Sequence, residues 1–70
     1  MTVKSDLQKA VADAQSLLGQ YAVFAQQTQD KAVKKMFNEL SDDMQKHIDT
    51  LNLRLDYLTK NNPMYQQEGE

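Results

Sequence analysis

The polar stretch Gln26-Gln27-Thr28-Gln29-Asp30 decides the fold, because it separates two apolar stripes that both have helical spacing. The first stripe consists of Val3, Leu7, Ala10, Val11, Ala14, Leu17, Leu18, Tyr21, Phe24 and Ala25. The second consists of Val33, Met36, Phe37, Leu40, Met44, Ile48, Leu51, Leu55 and Leu58. Side chains return to the same side of a helix about every 3.6 residues, so steps of three and four place each stripe on one side. The pattern predicts an all-α, antiparallel two-helix hairpin.

The same pattern predicts where the hairpin begins and ends. Helix one is predicted over about residues 3–27, and helix two over about residues 30–61. Pro63 stops helix two, because a proline disfavours helical geometry in the residue before it. The hairpin therefore takes up residues 1–62, and residues 63–70 form a C-terminal tail.

Each predicted helix has two alternative N-cap residues. Thr2 and Ser5 both precede the first stripe, and Thr28 and Asp30 both precede the second. Short polar side chains at these positions accept hydrogen bonds from amides that have no partner inside the helix. The sequence leaves the choice between each pair open.

The two stripes agree in register when residues are counted outward from the polar stretch. Phe24 comes level with Val33 and Phe37 near the hinge, and Leu7 comes level with Leu51 at the far end. Agreement between two separate patterns supports the hairpin more strongly than either pattern does alone.

A chain of 70 residues with no cysteine has few ways to stabilise such a fold. Two helices bury only one seam, and disulfides and thiolate metal sites are excluded. Self-association is the remaining way to stabilise the fold. We therefore expect hairpins to pair into a four-helix bundle, most simply as an antiparallel homodimer, with a tetramer left open.

A second seam for this pairing is predicted away from the main stripes. Leu53 and Tyr57 lie one turn apart on the other side of helix two. On the outer side of helix one, small residues at helical steps would let another helix approach closely: Ala12, Ser16, Gly19 and Val23. We predict Gly19, Val23, Leu53 and Tyr57 as interaction residues.

A metal site is the alternative function. Glu39, Asp43 and His47 are spaced by four residues, which places two carboxylates and an imidazole on one side of helix two. The same spacing is typical of a solvated charge ladder with a histidine at the seam edge. We predict no resident cofactor.

Other functional classes have little support in the sequence. Lys31, Lys34 and Lys35 could attract an anion or a membrane surface, but the net charge is -2 and no aromatic residues alternate with the lysines. No nucleic-acid partner and no membrane insertion are predicted. No hydroxyl stands in a pattern typical of a nucleophile with its base, so we predict a cytoplasmic protein that is not an enzyme.

The chain resembles a known family, domain of unknown function 1657. The resemblance rests on residues spread over the whole chain: Met1-Thr2-Val3, Tyr21, Gln27-Thr28-Gln29, Phe37, Leu51-x-x-Arg54 and Pro63-x-Tyr65. It marks Tyr21, Gln27, Thr28, Gln29, Arg54, Pro63 and Tyr65 as distinctive positions. For the hinge and tail residues among them, a purely architectural role stays open.

The resemblance implies a biological setting and no chemistry. Family members are small proteins of spore-forming Gram-positive bacteria, often encoded beside components of a spore membrane channel. This implies a sporulation-associated interaction protein that docks on a spore membrane-protein complex, in the cytoplasm, forespore or spore. No activity or cofactor follows from it.

Overall fold

The computed structural model describes residues 2–61, which form two long helices. Helix α1 spans Val3–Gln27 and helix α2 spans Lys31–Asn61. The helices pack against each other along their length, and the molecule measures 50 × 16 × 13 Å. The predicted all-α two-helix hairpin is confirmed. The predicted tail, with Pro63 and Tyr65, lies outside the described residues.

Helix α1 begins at a cap made by Thr2. The Thr2 hydroxyl oxygen accepts a hydrogen bond of 3.0 Å from the Ser5 amide, and the Thr2 carbonyl accepts one of 2.9 Å from the Asp6 amide. Asp6 lies in the first turn, where its negative charge is attracted to the positive end of the helix dipole and stabilises the helix. Of the two predicted caps, the structure therefore selects Thr2, and Ser5 lies inside the helix.

The hinge of residues 28–30 satisfies its polar groups locally. The Thr28 amide donates to the Phe24 carbonyl at 3.0 Å, which closes the last turn of α1. The Thr28 hydroxyl accepts from the Asp30 amide at 3.2 Å, and the Asp30 carboxylate accepts from the Val33 amide at 3.0 Å. Asp30 is therefore the N-cap of α2, and Thr28 shapes the turn before it.

The seam between the helices is shallow. Its buried residues are Ala14, Ala25 and Ile48, and the small alanines allow close approach of the helices. Within residues 2–60, no side chain is fully buried and no polar side chain is buried. Most other residues of the two stripes are only partly covered. The hairpin therefore has a narrow line of dry contact and no thick core.

Three aromatic rings hold the hinge end of the seam together. The Phe37 ring centroid lies 5.4 Å from that of Phe24 and 5.9 Å from that of Tyr21, both in tilted geometry. Rings at these separations attract each other beyond their simple burial. The predicted level match of Phe24 with Phe37 is confirmed.

Candidate interaction surface

One edge of the seam is closed near the hinge. The Lys34 ammonium donates a hydrogen bond of 2.6 Å to the carbonyl oxygen of Ala25. Ile48 lies further along the same side of α2 and is buried. On this side the lysine therefore bridges the two helices near the hinge, and the seam is covered at Ile48 further along α2.

The other edge of the seam is open. Residues in a right-handed helix advance by about 100° each, so in two antiparallel helices Phe24 and Met36 lie on the side away from Ala25 and Lys34. Phe24 is 44% exposed and Met36 is 45% exposed, although both belong to the predicted apolar stripes. The stripes predicted correctly which side of each helix faces the other helix. They overestimated the burial of Phe24 and Met36.

The apolar surface at this edge runs the length of the hairpin, and we call it the open face. On α1 it comprises Val3, Asp6, Ala10, Asp13, Leu17 and Phe24, and on α2 Met36, Leu40, His47, Leu51, Arg54 and Leu58. All of these side chains are at least partly exposed. At the hinge end of the molecule, a shallow groove is lined by Phe24, Gln27, Thr28, Val33 and Phe37. A partly exposed apolar face on so small a chain is typical of an interaction surface.

The outer side of α2 carries a smaller apolar patch. Leu53 is 74% exposed and Tyr57 is 55% exposed. Together with Thr50 and Arg54 they line a depression, in which the Arg54 guanidinium lies 5.2 Å from the centroid of the Tyr57 ring. The arginine and the tyrosine form a cation–π pair at the surface. The predicted interaction residues on α2 are thus accessible to a partner.

The predicted interaction residues on α1 are also accessible. Val23 is exposed, and a Cβ atom built on Gly19 would have nothing within 4 Å. Inside one hairpin, therefore, no neighbouring element requires a glycine at this position. Whether the outer side of α1 contacts another helix stays a prediction.

The metal-ligand candidates lie along an exposed charge ladder. The Glu39 carboxylate is 4.0 Å from the Lys35 ammonium, and the Asp43 carboxylate is 4.0 Å from the Lys46 ammonium. His47 is exposed on the same helix. Within residues 2–61, the structure contains no group of three potential ligands that could hold a metal ion. The geometry supports the charge-ladder interpretation and gives the metal-site alternative no support.

The lysine cluster at the start of α2 is divided among different roles. Lys34 binds the Ala25 carbonyl and Lys35 lies beside Glu39, while Lys31 is exposed. Because two of the three charges are directed at groups of the same chain, the cluster does not form one uniform anion-binding patch. In the helices of residues 2–61, moreover, no segment combines the length and the apolar character that crossing a bilayer requires.

The distinctive residues of the family resemblance have different environments. Tyr21 packs on Phe37, and Thr28 is a hydrogen-bonding part of the hinge. Gln27 and Gln29 are exposed. The environments of Tyr21 and Thr28 agree with an architectural role, whereas the exposed glutamines are available to a partner.

The open face was missed at the sequence level, as was the hydrogen bond made by Lys34. Periodicity shows which side of a helix is apolar, and it does not show how deeply a neighbouring helix covers that side. One signal was present in the seven-residue spacing of Val3, Ala10, Leu17 and Phe24, which places four apolar residues in one line on α1.

Comparison with known proteins gives a family and no closer relative. No curated protein and no solved structure matches the chain. One family model matches residues 7–55, which include both helices and the hinge, and its description reads "Protein of unknown function (DUF1657)". The chain therefore belongs to this family, whose function is unknown.

Proposed function

We propose that this protein is a non-enzymatic helical interaction protein that works as a self-associated four-helix bundle. The observation that carries the proposal is the open face, where Phe24 and Met36 remain nearly half exposed beside a seam with few buried residues. Burial of this face against another pair of helices would supply the dry core that a single hairpin lacks.

The size of the open face agrees with what a stable interface needs. The two longest dimensions of the hairpin, 50 and 16 Å, limit the flat footprint of any one face to roughly 800 Å², which is about the area per partner in a stable protein–protein interface. Most residues of the open face are apolar, and charged residues accompany them on both helices: Asp6 lies on the same line of α1 as Phe24, and Arg54 on the same line of α2 as Met36. Apolar strips with charges beside them are common where helix pairs associate.

The proposal is tested by the mass of the protein in solution. Sedimentation equilibrium over a wide concentration range should show a dimer or a larger assembly, and the melting temperature should rise with concentration. A well-folded monomer with a concentration-independent melting temperature would contradict self-association.

We also propose a setting, which rests on the family resemblance. The protein would be made during sporulation, in the cytoplasm or forespore, and would dock on a spore membrane-protein complex. Leu53 and Tyr57 support this, because they form an exposed apolar patch on the side of α2 away from the seam. Leu53 lies clear of the open face and would remain accessible after two hairpins pair through that face.

This docking is tested by cross-linking in sporulating cells, followed by purification from the membrane fraction and mass spectrometry. The wild-type protein should retain components of a spore membrane complex, and the Leu53→Asp variant should lose them while keeping its own mass and helicity. Equal retention by both proteins would exclude the outer patch as the docking site.

A further inference from the structure

We propose that a groove near the end of α2 binds the segment of the same chain that follows this helix, residues 62–67. The described residues that line the groove all belong to α2: Asp49, Asn52, Leu53, Leu55, Asp56 and Thr59. The segment begins directly after Asn61, the last residue of α2. This inference goes beyond the proposed self-association and does not depend on it.

The groove and the open face lie on different sides of the hairpin. Asn52 follows Lys34 by about five full helical turns, so both residues lie on one line of α2. Lys34 marks the closed edge of the seam through its hydrogen bond to the Ala25 carbonyl. Arg54, on the open face, comes two residues after Asn52 and therefore lies on nearly the opposite side of the helix. Pairing of two copies through the open face would leave the groove accessible.

The free end of α2 has space beside it. Helix α1 has 25 residues and α2 has 31, and the two helices meet at the same hinge. At a rise of about 1.5 Å per residue, α2 extends about 9 Å past the start of α1. In the part of the chain that the structure describes, the last turn of α2 therefore has no turn of α1 beside it. Leu55 and Thr59, at this end of the groove, are only partly covered.

The segment has the length that the groove requires. Pro63 disfavours helical geometry at Asn62, so the chain leaves the axis of α2 at this point and has a place to turn back. Asp49, the lining residue furthest from Asn61, lies about 18 Å away along the helix. Six extended residues span at most roughly 20 Å, which is enough to pass the whole groove.

Two residues of the segment match the apolar side chains of the groove. Met64 and Tyr65 would reach back from Asn61 by up to about 10 and 13 Å. Leu55 and Leu53 lie about 9 and 12 Å back from Asn61 along α2, so the thioether and the ring come within reach of both leucines. Leu53 is 74% exposed, and contact with the segment would remove apolar surface from water.

The polar side chains of the groove are already balanced in charge. The Asp56 carboxylate is 3.2 Å from the Lys60 ammonium, and the Asp49 carboxylate accepts a hydrogen bond of 3.0 Å from the side-chain amide of Gln45. By their helical spacing, three lysines lie near the groove: Lys4 on α1, and Lys46 and Lys60 on α2. A groove of this kind does not require a charged occupant.

The segment supplies uncharged donors. Residues 62–67 contain no charged side chain. Their side-chain amides and the Tyr65 hydroxyl would donate hydrogen bonds to the carboxylates of the groove. Glu68 and Glu70 come after the segment, and their repulsion by the Asp49 carboxylate limits the contact to the uncharged residues.

The covalent connection favours this occupant over a separate molecule. A segment joined to the end of the groove has an effective concentration on the order of millimolar, so weak contacts are sufficient to hold it. A free peptide of the same chemistry would have to reach that concentration in solution.

The chain has no cysteine, so a pair of introduced cysteines tests the contact directly. Asn52→Cys with Gln66→Cys places one thiol in the groove and one in the segment, and their disulfide requires Cα atoms within about 7 Å. Thr50→Cys with Gln66→Cys is the matched control, because Thr50 is also exposed, at nearly the same level but on the other side of α2. In a glutathione buffer at low protein concentration, the intramolecular disulfide of the groove pair should be favoured by at least about tenfold over that of the control pair.

Equal formation of the two disulfides would overturn the proposal. Disulfides formed mainly between two molecules would also overturn it, because they would assign the groove to a second copy. Met64→Ser with Tyr65→Ser should remove the preference of the groove pair, whereas Gln67→Ser should retain it; a preference that survives loss of both apolar side chains would contradict the proposed packing. Circular dichroism of every variant confirms that the helices are intact. A monomeric wild type would contradict self-association and leave this result unaffected, because the groove lies away from the open face.

Discussion

The Lys34 ammonium and the Ala25 carbonyl oxygen, 2.6 Å apart, join the last turn of α1 to the first turn of α2. The carbonyl lies so near the end of α1 that the regular helix offers it no amide partner. A lysine at the start of a helix normally opposes the dipole of that helix. Here its charge is directed at the negative end of α1, which offsets that cost, and the contact links the two helices next to the hinge.

The first prediction concerns this contact. Lys34→Met keeps most of the side-chain length and removes the donor, so the free energy of unfolding should fall by about 1 kcal/mol. Lys31→Met is the matched control, because Lys31 is exposed in the same helical turn. Chemical denaturation of both variants at equal protein concentration measures the difference. Equal stability of the two would mean that the hydrogen bond contributes nothing in solution.

The second prediction concerns the most buried large side chain in the described part of the chain. Ile48 is 5% exposed, and its replacement by alanine should lower the free energy of unfolding by about 3 kcal/mol, through lost burial and the cavity left behind. Leu53→Ala removes a similar side chain from the surface and should change it by less than about 0.5 kcal/mol. Urea titrations followed by circular dichroism compare the two. Similar losses for both would show that the seam is not where the hairpin is stabilised.

The third prediction separates the open face from the outer patch. Met36→Asp places a charge on the open face, where it would be desolvated on association, so the protein should become monomeric with its helices retained. Leu53→Asp places the same charge on the outer side of α2 and should leave the mass unchanged. Light scattering coupled to size-exclusion chromatography reports both masses. The reverse result would move the interface to the second seam that the sequence predicts through Leu53 and Tyr57.

The fourth prediction uses the glycine in the middle of α1. Because a Cβ at Gly19 meets nothing within 4 Å, Gly19→Ala should stabilise the hairpin by about 1 kcal/mol through its higher helix propensity. The mass in solution should stay the same. A stabilised hairpin with weaker association would instead show that another helix approaches the outer side of α1 at this position.

Much of the fold could be predicted from the spacing of apolar residues. The two stripes face each other, and the predicted level match of Phe24 with Phe37 appears as a ring pair at 5.4 Å. Asp30 was one of two predicted caps for α2, and the structure selects it through its bond to the Val33 amide. These features depend on local geometry and on helical period, which a sequence specifies directly.

The surface could not be predicted as well, because it depends on how the two helices are placed in three dimensions. The sequence predicts a single cluster of Lys31, Lys34 and Lys35, and only the hinge geometry brings Lys34 to the Ala25 carbonyl. The stripes place Phe24 and Met36 in the seam, although both lie at its open edge and are nearly half exposed. A periodic pattern gives the direction of a side chain around one helix, and the second helix determines how much of it is covered.

The three-residue hinge has a consequence for how the protein folds. A loop this short costs little entropy to close, so the aromatic pairs next to it can form first. The helices can then pack against each other progressively towards their free ends. Such local contacts are typical of folding in microseconds to milliseconds, which is faster than diffusional encounter between copies at low concentration. Each copy should therefore collapse into a hairpin before it meets another, and the two steps should separate as one concentration-independent and one concentration-dependent phase in rapid-mixing experiments.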